Sequence, residues 1–163
     1  MLETLDKDTL AGLCGKALLA HDRASAGFGI TIDKMTAGHA TVYMDVREDM
    51  VNGHEICHGG LIFTLADTAF ALACNSHNVV AYAMACHIEY LRPALKDDRL
   101  CAHAFEMAMT RNTGSYVVQV TNQVEKTIAV FHGRSSNRGK PLITYADLDT
   151  LGFEIPARKS NQS

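Results

Sequence analysis

Between Ile56 and Ile88 the chain runs for 33 residues with a single Asp, Glu, Lys or Arg, and that one is Asp67. A stretch so poor in charge has to be buried over most of its length. Its centre, residues 60–76, is rich in Ala and Leu, and the pattern predicts a helix of about five turns. The run has too few consecutive apolar residues to cross a membrane, which takes about 20. Thr64, Asp67, Thr68, Ala71 and Asn75 recur at helical spacing and would suit a narrow solvent stripe. Solvated helix faces usually carry Lys, Glu or Arg, however, and here Asp67 stands alone. A carboxylate in such surroundings is desolvated, which raises its pKa and makes it a stronger base.

On either side of this helix the period changes. Ala40, Val42, Met44 and Val46 alternate with His39, Thr41, Tyr43, Asp45 and Arg47, the pattern of a half-buried strand. Further strands are expected at 28–35, 79–91, 99–109, 115–124 and 127–135, with Asn112-Thr113-Gly114 as a hairpin turn. Ala81, Ala83 and Ala85 read as one small-residue face for close packing. Leu2, Leu5, Leu10, Leu13, Ala17 and Leu18 give residues 2–20 a helical stripe, broken by Gly12 and Gly15. One apolar helix with a run of antiparallel strands is an α+β domain whose sheet wraps the helix. The expected organisation is an N-terminal helical segment over 1–26, the main domain over 27–138 and an irregular tail over 139–163.

The start of the central helix carries the second feature. Asn52-Gly53-His54-Glu55-Ile56-Cys57-His58-Gly59-Gly60 is a Gly- and His-rich loop leading into it. First-turn amides lack partners within the helix and sit at the positive end of its dipole, so they can stabilise a developing oxyanion. Glycines are also common at loop–helix junctions for conformational reasons alone. Asp67 follows Gly59 by eight residues, about 12 Å along the axis. It cannot easily reach a carbonyl held at the start of its own helix. A second helix, antiparallel across a two-fold axis, could bring an Asp67 to that point, which predicts a dimer with composite sites.

At these residues the sequence resembles the hotdog-fold acyl-CoA thioesterases, and within them the phenylacetate-degradation (PaaI-type) group. The resemblance runs from Asn52-Gly53-His54 through Cys57-His58-Gly59-Gly60, Leu65-Ala66-Asp67-Thr68-Ala69-Phe70-Ala71 and Ala73-Cys74-Asn75-Ser76 to Ile88-Glu89-Tyr90-Leu91-Arg92-Pro93. More loosely it covers 24–138. It implies a hotdog domain, homodimers that pair into homotetramers, and hydrolysis of phenylacetyl-CoA or hydroxyphenylacetyl-CoA without a metal or other cofactor. By position it makes Asp67 the base or nucleophile and Gly59 the amide that polarises the thioester carbonyl. Asn52 and His58 would line the same end. Thr68 would be a second water ligand, with Gly60 also at the substrate.

His54, Cys57 and His58 could begin a metal site, but no further ligand cluster completes it and zinc needs three or four. Cys57 beside His58 could be an activated thiolate, although a small buried residue is the simpler reading. Arg134 and Arg138, with Arg92 and Lys140, are candidates for the CoA phosphates. A net charge of −3 gives no case for nucleic-acid binding. Five widely spaced cysteines and an acidic first segment without a signal peptide's order suit a reduced, cytoplasmic protein. A non-catalytic acyl-CoA-binding module and an enoyl-CoA hydratase or dehydratase are the alternatives. Against the second, no His follows Asp67 within a few residues.

Overall fold

The computed structural model describes residues 2–152. Helix α1 (Lys7–Ala20) is capped by Asp6, whose carboxylate accepts from the amides of Asp8 and Thr9. A short helix α2 (Arg23–Gly27) follows, capped by Asp22. Strands β1 (Thr31–Thr36) and β2 (His39–Asp45) precede the long helix α3 (Gly59–Asn75). Strands β3 (Ala81–Tyr90), β4 (Arg99–Met109), β5 (Thr113–Thr121) and β6 (Thr127–Asn137) complete the sheet. Its six strands run antiparallel in the order β1-β2-β4-β5-β6-β3.

Helix α3 lies in the concavity of the sheet and touches every strand. Leu65, Ala66, Ala69, Phe70, Leu72 and Ala73 are all almost fully buried. They meet Val42 and Met44 of β2, Leu100 and Ala102 of β4, Val118 and Val120 of β5 and Phe131 of β6. Burying a Leu or Phe side chain contributes about 1.5–3 kcal/mol, so this helix is the chief anchor of the core. Small residues allow the close approach. A Cβ added at Gly133 would lie 2.7 Å from the Phe70 ring.

Strand β3 departs from simple alternation. Ala83 pairs with Ser135 and Ala85 with Arg134, which leaves Met84 as an extra residue in a β-bulge. The expected common face of Ala81, Ala83 and Ala85 is therefore broken. Ala85 is cross-strand from Arg134, while beyond the bulge Cys86, Ile88 and Tyr90 pair with Gly133, Phe131 and Ala129. The turn between β4 and β5 also closes earlier than the Asn112-Thr113-Gly114 reading. Thr110 Oγ1 accepts from the Thr113 amide, so Thr113 and Gly114 already belong to β5.

Part of the expected tail is packed. Ile143 and Leu148 are buried with Leu13 and Cys14 of α1 in a second small core. Asn78 fastens the segment: its Oδ1 accepts from the amides of Leu142 and Ile143, and its Nδ2 donates to Ile143 O. The remainder of that tail, 153–163, lies outside the described residues.

Candidate active site

The start of α3 is built so that one amide stays free. His58 is the N-cap, and its Nδ1 accepts from the Gly60 amide at 3.0 Å. That acceptor role leaves the ring proton on Nε2. The His58 carbonyl accepts from Leu61 and Ile62, and its own amide donates to Met50 O. Among the described residues only Gly59 N–H in this first turn has no acceptor.

Tyr90 holds the same residue from the strand side, donating from its hydroxyl to Gly59 O at 2.8 Å. The Asn52–Cys57 loop lies alongside. Asn52 N donates to Ile56 O, the Glu55 amide donates to Asn52 O, and Asn52 Oδ1 accepts from the His54 amide. Asn52 Nδ2 has no partner among the described residues and remains available as a donor. Asn52, Gly59, Ile62, Tyr90, Leu91 and Arg92 share one cleft of about 480 Å³.

Asp67 and His58 are not among the residues lining that cleft. Asp67 is half-buried, and its one side-chain partner among the described residues is Cys86, with Sγ 3.9 Å from Oδ1. Burial holds its carboxyl above the ordinary carboxylate range, against a smaller lowering from the Cys86 thiol. Cys74, on the same helix, is pushed up to about 12 by burial first and then by the Asp67 charge.

The remaining sequence candidates fall in different places. Gly60 has its amide committed to His58. Thr68 donates to Thr64 O and lies 3.3 Å from Ser25 Oγ of α2, so its hydroxyl ties the two helices together and does not reach the cleft. Arg134 borders a separate hollow of about 340 Å³ with His87, His132 and Ser115. Arg138 lies over the Tyr82 ring at 5.4 Å, and Arg92 donates to Thr127 O. Burial pushes the Cys57 thiol up to about 11, which opposes its use as a thiolate. No group of three or more His, Cys, Asp or Glu among the described residues is placed to hold a metal. Tyr90 and Cys86 are contacts that sequence reasoning did not single out. Their signal was the strand's alternation, which the Met84 bulge conceals.

A six-stranded antiparallel sheet wrapped on one helix, with a free amide at the helix start and a desolvated acid two turns on, defines a hotdog-fold thioesterase. Residues 54–129 match the family model of the Thioesterase superfamily. The acyl-coenzyme A thioesterase PaaI of Escherichia coli K12 is 45% identical over 123 residues, 76% of this chain and 88% of the relative. The solved structure of E. coli PaaI, from the phenylacetic acid degradation operon, superposes with a TM-score of 0.82 at 41% identity. It covers 83% of this chain and 99% of that one. A hypothetical thioesterase from Streptococcus pneumoniae TIGR4, solved with coenzyme A, gives 0.69 at 27% identity, covering 72% and 93%. The chain belongs to the thioesterase superfamily, within the PaaI-like acyl-CoA thioesterases, and is a hydrolase.

Proposed function

We propose that this enzyme hydrolyses phenylacetyl-CoA or its ring-hydroxylated relatives at two equivalent sites formed between the subunits of a homodimer. The observation that carries the reading is the free Gly59 amide in a cleft that Asn52 lines and Asp67 does not. The thioester carbonyl oxygen accepts from Gly59 N–H, and Asn52 Nδ2 holds the attacking water. The partner subunit's Asp67 takes a proton from that water as its oxygen bonds to the carbonyl carbon. The tetrahedral adduct then breaks its C–S bond, and CoA leaves as a thiolate that receives the proton. An oxyanion donor of this kind contributes about 2.7–4 kcal/mol to such a step.

Strand β3 supports the pairing. It is an edge strand, and Tyr82 and Met84 on it are 58% and 57% exposed, a surface suited to a second copy. We place the contact between two dimers on the outer sheet face, where His39, Phe105 and Val117 are successive cross-strand partners. Arg134 with His87 and His132 offers cationic and donor groups for CoA phosphates. No described helix is long and apolar enough to cross a membrane. Five free cysteines support a cytoplasmic setting.

Release of free CoA from a panel of acyl-CoAs tests the substrate assignment. Phenylacetyl-CoA or hydroxyphenylacetyl-CoA should turn over faster than palmitoyl-CoA. Asp67→Asn should lower kcat by about 10²-fold or more while remaining folded. Turnover confined to long acyl chains, or binding without hydrolysis, would overturn it.

A further inference from the structure

Two inward side chains of β3 meet the two chemically important positions of α3. Tyr90 reaches Gly59 and Cys86 reaches Asp67. The spacings agree: four strand residues span about 13 Å, and eight helical residues span about 12 Å. Strand and helix therefore run past each other in step. One strand thus fixes, within its own chain, both the peptide that follows the oxyanion amide and the acid.

The agreement depends on the bulge. Ala81 is inward and buried, and strict alternation from it would turn Ala83, Ala85 and His87 toward the helix. The extra residue at Met84 shifts the set by one. Cys86, paired with the inward Gly133, faces α3, whereas His87 pairs with His132, which is exposed. Bulges are frequent beside active sites, where they re-aim a side chain.

We propose that Cys86 is a positioning residue for the catalytic acid: the Met84 bulge turns its thiol inward to donate to Asp67 Oδ1 and fix the carboxylate's orientation. The inference rests on the reading of Asp67 as the base. Burial, and then the Asp67 charge, raise the Cys86 thiol, so it stays protonated and acts as the donor. Cys74 of α3, also raised, is the other titratable group that senses Asp67. Among the described residues no ion pair or hydrogen bond reaches the Asp67 side chain from α1, α2, β1, β2, β4, β5 or β6. A donor to a carboxylate favours its charged form, so removing the thiol should raise the pH at which Asp67 ionises.

The test is steady-state CoA release from phenylacetyl-CoA, from about pH 4 to 9, for wild type, Cys86→Ala, Cys86→Val, Cys86→Ser and Asp67→Asn. Cys86→Ala and Cys86→Val remove the donor with different side-chain volumes, so a packing effect at one does not decide the result. Both should lose about three- to tenfold in kcat at neutral pH, with KM within about twofold. Their acid limb should move to higher pH, and Cys86→Ser should return both kcat and limb toward wild type. An acid limb unmoved in the donor-free variants, or Cys86→Ser as impaired as they are, overturns the proposal. Asp67→Asn separates the two readings. If it leaves the wild-type acid limb in place at near-normal turnover, Asp67 is not the base and both readings fall.

Discussion

The Tyr90 hydroxyl donates to Gly59 O at 2.8 Å, while the ring lies so near that a Cβ at position 59 would sit 3.2 Å from Tyr90 Cζ. The Gly59–Gly60 peptide is thus held at both ends, its oxygen by Tyr90 and its N–H by His58 Nδ1. Only the preceding amide, Gly59 N–H, is left to face a ligand.

Tyr90→Phe keeps the ring and removes one end of that support. The expected result is a fall in kcat of about three- to tenfold, with little change in KM and about 1 kcal/mol or less of lost stability. Parallel kinetics and thermal melts check it. Wild-type kcat in the variant would show that the Gly59 peptide needs no support from β3.

Asp67 should weaken the fold it serves. Burial raises its folded-state pKa. Between the unfolded and folded pKa values the native state binds the extra proton, so stability falls as pH rises through that window. At neutral pH the ionised, desolvated carboxylate is a net burden. Asp67→Asn should therefore melt at the same temperature as wild type or higher at pH 7, while losing activity. The gap should close as pH falls below the unfolded carboxylate range. A variant that melts well below wild type at pH 7 contradicts this.

Gly133 faces the Phe70 ring with no room for a methyl. Gly133→Ala must push Phe70 against Tyr116 and Phe131, its neighbours at 5.4 and 5.8 Å. A loss of about 1–3 kcal/mol is expected, or about 3–10 °C in Tm for a chain of this size. An unchanged melt would mean that α3 can shift on the sheet.

Asn78 sits at φ 57°, where Asn and Gly are tolerated best, and makes three hydrogen bonds to the 142–143 backbone. Asn78→Gly keeps that conformation and removes the bonds. It should cost about 1.5–3 kcal/mol and speed hydrogen exchange at Leu142 and Ile143. Unaltered exchange there would place the anchoring in Ile143 and Leu148 alone.

The fold was largely legible because burial set the period. The charge-poor run read as 60–76 is α3 at Gly59–Asn75, and the strand read at 99–109 is β4. The position of Gly59 at the helix start, with Asp67 about two turns on, was legible too, since it needed only the helical rise. What stayed hidden depended on single residues. Met84 gives no sequence sign of a bulge, so Cys86 and Tyr90 could not be aimed at α3. Thr110 closes its turn through a side-chain hydroxyl, ahead of the more obvious Asn-Thr-Gly. Ile143 and Leu148 stand among Pro, Gly and polar residues, and only the stripe on α1 makes them core. Thr68 adjoins Asp67 in sequence, yet one step along a helix turns a side chain by about 100°, here toward Ser25.

The central claim is that Asn52 and Gly59 of one subunit work with Asp67 of the other, and mixed dimers test it directly. Asn52→Ala and Asp67→Asn homodimers should each be impaired at both sites. In a mixed dimer one site carries both substitutions and the other carries neither. Random mixing makes about half of the dimers mixed, so roughly a quarter of all sites should be wild type. The two variants are unfolded and refolded together, mixed dimers are verified by mass, and kcat per chain is compared with each variant refolded alone. Recovery toward about a quarter of wild-type activity is the predicted result. Activity no higher than the mean of the two variants would place Asn52 and Asp67 in one chain's site and contradict the account.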